Sequence, residues 1–156
     1  MMDPSISIYR RDADLIAVAT GQTTMGVGIE TGPAITLLSN LASDLIAGEV
    51  MRLFDDCGAT VVHPKTFRGS DSPTLQQAKC LSWSVFMKSR PEYMRLTMSE
   101  LSIRVEFWRR DGKGFAPANP PNVVVLPRDV SAECLGDVLL GRCNRRNAEK
   151  AAHDSC

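Results

Sequence analysis

Pro121–Arg145, PNVVVLPRDVSAECLGDVLLGRCNR, is a strand, a stop, a capped start and a helix written in order. Asn122–Leu126 is a run of β-branched and apolar residues of the kind found in buried strands, and Pro127 ends it because proline cannot donate to a sheet ladder. Ser131 stands at the N-cap position, ahead of Leu135, Val138, Leu139 and Cys143, which recur at helical spacing. The pattern occurs a second time in Ile35–Cys57, ITLLSNLASDLIAGEVMRLFDDC. Without gaps, Leu38 falls on Leu126, Ser43 on Ser131, Gly48 on Gly136, Glu49 on Asp137 and Val50 on Val138. The copies lie about 88 residues apart, too far for a solenoid repeat. The expectation is an α+β fold in one domain, a mostly antiparallel sheet flanked by helices, with a strand–Ser cap–helix unit used twice.

Composition agrees with one globular domain. The chain has 156 residues, 44% apolar and 23% charged, enough to bury a core without staples. Eighteen basic and 18 acidic residues cancel, so no global field favours nucleic acid or an acidic membrane. Cys57, Cys80, Cys134, Cys143 and Cys156 form no CxxC or Cys/His zinc spacing and fit reduced, mostly buried thiols. The first twenty residues lack the basic-then-apolar order of a signal peptide, and no segment reaches the roughly 18 apolar residues of a membrane span. These features point to a cytoplasmic protein with no membrane partner.

The remaining elements follow in order. Ser5–Arg10 alternates as an edge strand would, and Leu15–Thr20 is a stronger strand. Gly21–Gly32 lacks the strand–GxGxxG–helix order of a phosphate loop, because Pro33 and a strand come next, and it fits a glycine-loosened hairpin. Helices are expected over Asp44–Asp56, Thr74–Ser89 (as two short pieces) and Ala132–Arg146. The first should bury Leu45, Ile46, Val50, Leu53 and Phe54; the last, Leu135, Val138, Leu139 and Cys143. Ala59–His63 reads as a short buried strand. Tyr93–Met98 and Leu101–Trp108 should pair as a hairpin, with Leu101, Ile103, Val105 and Phe107 on one face. Arg109–Gly114 is a charged turn, Phe115–Pro121 an extended connection, and 147–156 a tail expected to be disordered, leaving 1–146 as the domain.

Ser82-Trp83, Phe86 and Lys88, then the hairpin, then Val123–Leu126, Ser131, Glu133 and Leu135-Gly136 resemble the bacterial immunity proteins of contact-dependent growth inhibition. The resemblance is clearer from about Cys80 to Arg145, and Ile35–Cys57 is similar to the family's first strand–helix unit, with Ile46-Ala47-Gly48 where Leu-Gly is usual. It implies an α+β protein without catalytic activity, catalytic residues, cofactor or metal. Such a protein binds and blocks the C-terminal toxin domain delivered by a neighbouring cell, often a nuclease. The residues agree in lacking a Ser/His/acid order, HExxH or P-loop.

Two surfaces are candidates for such a partner. A nuclease groove is basic, so Glu30, Asp44, Asp55 and Asp56 form the natural plug. Asp55 and Asp56 end a helix, where acid opposes the dipole and is out of place as structure. Arg109, Arg110, Asp111 and Lys113 form the rival surface, suited to an acidic partner. Two other classes stay open: a nucleic-acid module stacking a base on Trp108 beside Arg104, Arg109, Arg110 and Lys113, and a small enzyme using His63, His153 or Asp111. His63 has no acid or nucleophile at motif spacing and fits a structural histidine better.

Overall fold

The computed structural model describes residues 3–67, 71–143 and 149–150. Its strands are β1 (Ser5–Arg10), β2 (Asp14–Thr23), β3 (Gly28–Leu38), β4 (Thr60–Val61), β5 (Glu92–Met98), β6 (Ser102–Asp111) and β7 (Gly114–Pro127). The helices are α1 (Ser43–Arg52), continued by a 3-10 turn at Leu53–Asp56, then α2 (Pro73–Ala78), α3 (Trp83–Met87) and α4 (Ala132–Leu140). The chain is one seven-stranded sheet in the order β3-β2-β1-β5-β6-β7, antiparallel except where β4 pairs parallel with the end of β2. The expected α+β architecture is therefore the observed one.

Both faces of the sheet carry helices. Alpha helices α1 and α4 lie side by side on one face, over Ile6, Ile8, Leu15, Ala17, Met94, Leu96, Ile103, Val105, Val124 and Leu126. On the other face α2 and α3 bury Leu75, Phe86 and Met87 against Tyr9, Ile16 and Val18. Each of these apolar side chains contributes about 2 kcal/mol when fully buried. The two-sided cover explains why Leu15–Ala19 is continuously apolar and fully buried. It also corrects the placement of Ser5–Arg10, which is a central strand between β2 and β5, not an edge. Its alternation is genuine: Ile6 and Ile8 enter the larger core, while Ser5, Ser7 and Tyr9 take the other face.

The repeated unit exists, shifted by one residue. Strands β3 and β7 are the two sheet edges, and each leads into a helix on the same face. The residue before α1 is Ala42, which makes no side-chain cap, whereas Ser131 before α4 accepts from the Cys134 amide at 3.2 Å. Ala42 therefore matches Ser131. Leu37, packed on the core, matches buried Leu126, while Leu38 is 56% exposed. In this register Ile46-Ala47 occupies the place of Leu135-Gly136.

Ser43 is thus not a cap. Its hydroxyl donates to the Asp137 carboxylate and accepts from Arg142 Nη1 at 2.9 Å, tying the start of α1 to α4. Gly136 makes that approach possible, since a Cβ there would stand 1.9 Å from the Ser43 carbonyl oxygen.

Several boundaries also differ from expectation. Helix α4 stops at Leu140, because Gly141 turns left-handed at φ 68° and returns its amide to Val138; residues 144–146 lie outside the described residues, as do 147 and 148 and 151–156. Lys79, left-handed at φ 56°, ends α2, and Ser82 caps α3 separately. Leu45 is 57% exposed and Leu101 is 85% exposed in the β5–β6 turn, so neither joins the core. The Ala59–His63 strand shrinks to Thr60–Val61 and is not buried, since it borders only the last residues of β2. The charged turn tightens to Gly112–Lys113, with Arg109–Asp111 in β6 and Phe115–Pro121 in β7.

Candidate functional site

Helices α2 and α3 are short, so they cover only part of their sheet face. The remainder is a cleft of about 670 Å³ whose floor is supplied by β1, β2, β3, β5 and β6. Strand alternation selects its residues. Tyr9 pairs with Tyr93 across β1 and β5, and Tyr93 with Trp108 across β5 and β6, so the three rings share one face. Tyr93 lies 5.1 Å from Tyr9 and meets Trp108 edge-on at 5.2 Å. Phe115 closes this aromatic wall at 5.3 Å from Tyr93.

Polar groups fill the floor between. Ser7 Oγ and the Tyr93 hydroxyl are 3.0 Å apart, and Ser5 Oγ and Thr20 Oγ1 2.7 Å apart. At one side Glu30 accepts from the Tyr9 hydroxyl and from Thr74 Oγ1 at 2.7 Å, with Ser72 Oγ at 3.5 Å. Burial first, then the Glu30 charge, raises the Tyr9 hydroxyl well above its usual range. Burial likewise raises Tyr93. At the other side Arg95 Nη2 reaches Ser5 Oγ at 3.4 Å, its one hydrogen bond among the described residues. The Trp108 Nε1 donor is enclosed and has no acceptor among the described residues.

The acidic candidates do not form one cluster. Glu30 is on β3 inside the cleft, its carboxylate occupied by hydroxyl donors. Asp44 is exposed in the first turn of α1, whereas Asp55 and Asp56 are exposed on the 3-10 turn beyond its far end. These last two adjoin Cys57 and Gly58, which line the cleft. The β2–β3 turn is bonded to β4 and the segment after it, through Thr24 N to Val61 O and His63 N to Thr24 Oγ1, and exposed Met25 (72%), Val62 (82%) and Phe67 (58%) lie on these two segments. Arg109, Arg110, Asp111 and Lys113 are all exposed on the β6–β7 hairpin.

The other sequence candidates change character. Trp108 is half-buried, meets Tyr93 edge-on and lines the cleft, so it is a wall residue rather than an open platform beside the arginines. His63 Nδ1 bonds Thr23 Oγ1 at 3.0 Å and its ring meets Phe67 edge-on, a structural arrangement. His153 lies outside the described residues, and Asp111 stands on the β6–β7 hairpin rather than beside His63. Burial raises the thiols of Cys57, Cys134 and Cys143, which makes them poor nucleophiles near neutrality. Among the described residues no three His, Cys, Asp or Glu side chains gather to hold a metal ion, and no helix is long and apolar enough to cross a membrane.

No protein-family model and no curated protein matches the sequence. The fold does have solved counterparts. One is a protein of unknown function from Neisseria meningitidis, with TM-score 0.65, 13% identity, 91% of this chain covered and 96% of that one. Another is a chain of a CdiA-CT/CdiI toxin and immunity complex from Yersinia pseudotuberculosis, with TM-score 0.64, 8% identity, 100% of this chain covered and 98% of that one. At these identities the likeness is one of fold.

Proposed function

We propose that the chain is an immunity protein, which binds and neutralises the C-terminal toxin domain of a cognate contact-dependent growth inhibition effector inside the producing bacterium. The observation that carries this reading is the fold shared, end to end, with a chain of a toxin and immunity complex. It is independent of the sequence resemblance in Ser82–Lys88 and Val123–Gly136, and the two agree. The role is one of binding, without turnover. It needs a complementary surface and no catalytic group, cofactor or direct nucleic-acid contact.

The partner surface we favour is the acidic one at Asp55 and Asp56, exposed on the 3-10 turn that follows α1. Acid suits the basic groove of a nuclease. Glu30 leaves this group, because its carboxylate is already spent on Tyr9 and Thr74. The test is co-purification of the chain with the C-terminal domain encoded by the adjacent large effector gene, followed by calorimetry. A one-to-one complex of nanomolar Kd or tighter is expected, about −12 kcal/mol. Absence of binding, or turnover of a substrate by the purified chain alone, overturns the reading.

A further inference from the structure

The cleft on the α2/α3 face has a polar imbalance that toxin binding does not explain. Of its two acids, Asp3 is exposed and makes no ion pair with Arg95, and Glu30 is satisfied, accepting from Tyr9, Thr74 and, at 3.5 Å, Ser72. Its base is not. Arg95 is half-buried, and a guanidinium carries five N–H donors. Among the described residues these meet only Ser5 Oγ, at 3.4 Å, and no carboxylate lies within ion-pair distance. Glu106 is opposite Arg95 in the β5–β6 register but pairs with Arg104 at 3.6 Å. The second unmet donor is the Trp108 indole N–H, enclosed at the cleft wall. Beside these donors stand the faces and edges of Tyr93 and Trp108.

We propose that this cleft binds a small organic anion. Its carboxylate or phosphate oxygens meet Arg95 in a charge-assisted, two-pronged contact, and its planar or apolar body lies against Tyr93 and Trp108. The volume of about 670 Å³ suits such a ligand, since small-molecule sites run from roughly 300 to 1,000 Å³. The site is independent of the toxin reading and stands or falls without it.

The chain has two tryptophans, so Trp83→Phe leaves Trp108 as the sole indole reporter. Fluorescence of that variant, and calorimetry of the unaltered chain, are followed on titration with benzoate, phenyl phosphate and inorganic phosphate. A saturable response to benzoate or phenyl phosphate at about 1 mM or below is expected, and the preferred probe distinguishes a carboxylate ligand from a phosphate ester. Arg95→Gln should weaken it about tenfold or more, and Arg104→Gln should leave it unchanged. Arg95→Lys, which keeps charge and stem but loses the fork, should bind at intermediate strength and carries the comparison where the glutamine variant does not fold. No saturable response to any probe, or equal binding by parent and both Arg95 variants, overturns the proposal. Inorganic phosphate binding as tightly as phenyl phosphate, with benzoate binding no tighter, overturns the organic character of the ligand.

Discussion

Gly136 is where the two repeated units touch. With the Ser43 carbonyl 1.9 Å from the position of a Cβ, Gly136→Ala must push α1 and α4 apart, and the obstacle is backbone, which cannot rotate away. A loss of about 2 kcal/mol or more is expected from a denaturant titration. Ser131 and Ser43 should behave differently from one another. Ser131→Ala removes a helix cap and should cost about 1 kcal/mol. Ser43→Ala leaves the α1 cap alone and instead strands Asp137 and Arg142, so its loss should shrink in an Asp137→Asn background while that of Ser131→Ala should not. Tyr9 supplies a pH signature. Its folded-state proton is held above the ordinary 10.0, by burial and then by Glu30, while the unfolded chain releases it near pH 10. The folded state binds more protons there, so this contribution is intact below pH 10 and is lost as pH rises beyond it. Thermal midpoints measured from pH 8 upward should fall less steeply above about pH 10 in Tyr9→Phe than in the parent.

Elements were legible in the sequence wherever their period was undisturbed. The β5–β6 hairpin pairs Tyr93 with Trp108 as its alternation requires, and the Ser131 cap and the Pro127 stop stand where their chemistry puts them. The first unit was legible in kind but one residue out of register. Two serines aligned by sequence hold different jobs, and burial of Leu37 rather than Leu38 fixes the true match. Ser5–Arg10 misled for a physical reason. Serines alternating with isoleucines mimic a solvated edge, yet Ser5 and Ser7 face a cleft floor and are paired by Thr20 and Tyr93. The cleft itself was illegible. It needs β1 inserted between β2 and β5, a pairing of residues some 86 positions apart, and local pattern carries no trace of it. The nearest signal was the polar face of β1 and β5, where Ser5, Ser7 and Arg95 sit among apolar neighbours.

The whole molecule carries no net charge, so its partner preference is set by where charge is left uncovered. Asp55 and Asp56 are exposed at one place, on the 3-10 turn after α1, and Arg109, Arg110 and Lys113 are exposed at another, on the β6–β7 hairpin. Exposed charges act chiefly on encounter, and their effect falls with ionic strength. Two reversals therefore separate the surfaces. Asp55→Lys with Asp56→Lys should slow association with the toxin domain about tenfold at low salt, with less effect at high salt and little change in the stability of the free chain. Arg109→Glu with Arg110→Glu should leave the association rate and the protection of toxin-exposed cells near parent levels, or speed encounter slightly through the added acid. Stopped-flow association and a growth-competition assay read these outcomes separately. Loss of protection in the arginine pair, with the aspartate pair intact, would transfer the interface to the hairpin and make the toxin's contact surface acidic instead of basic.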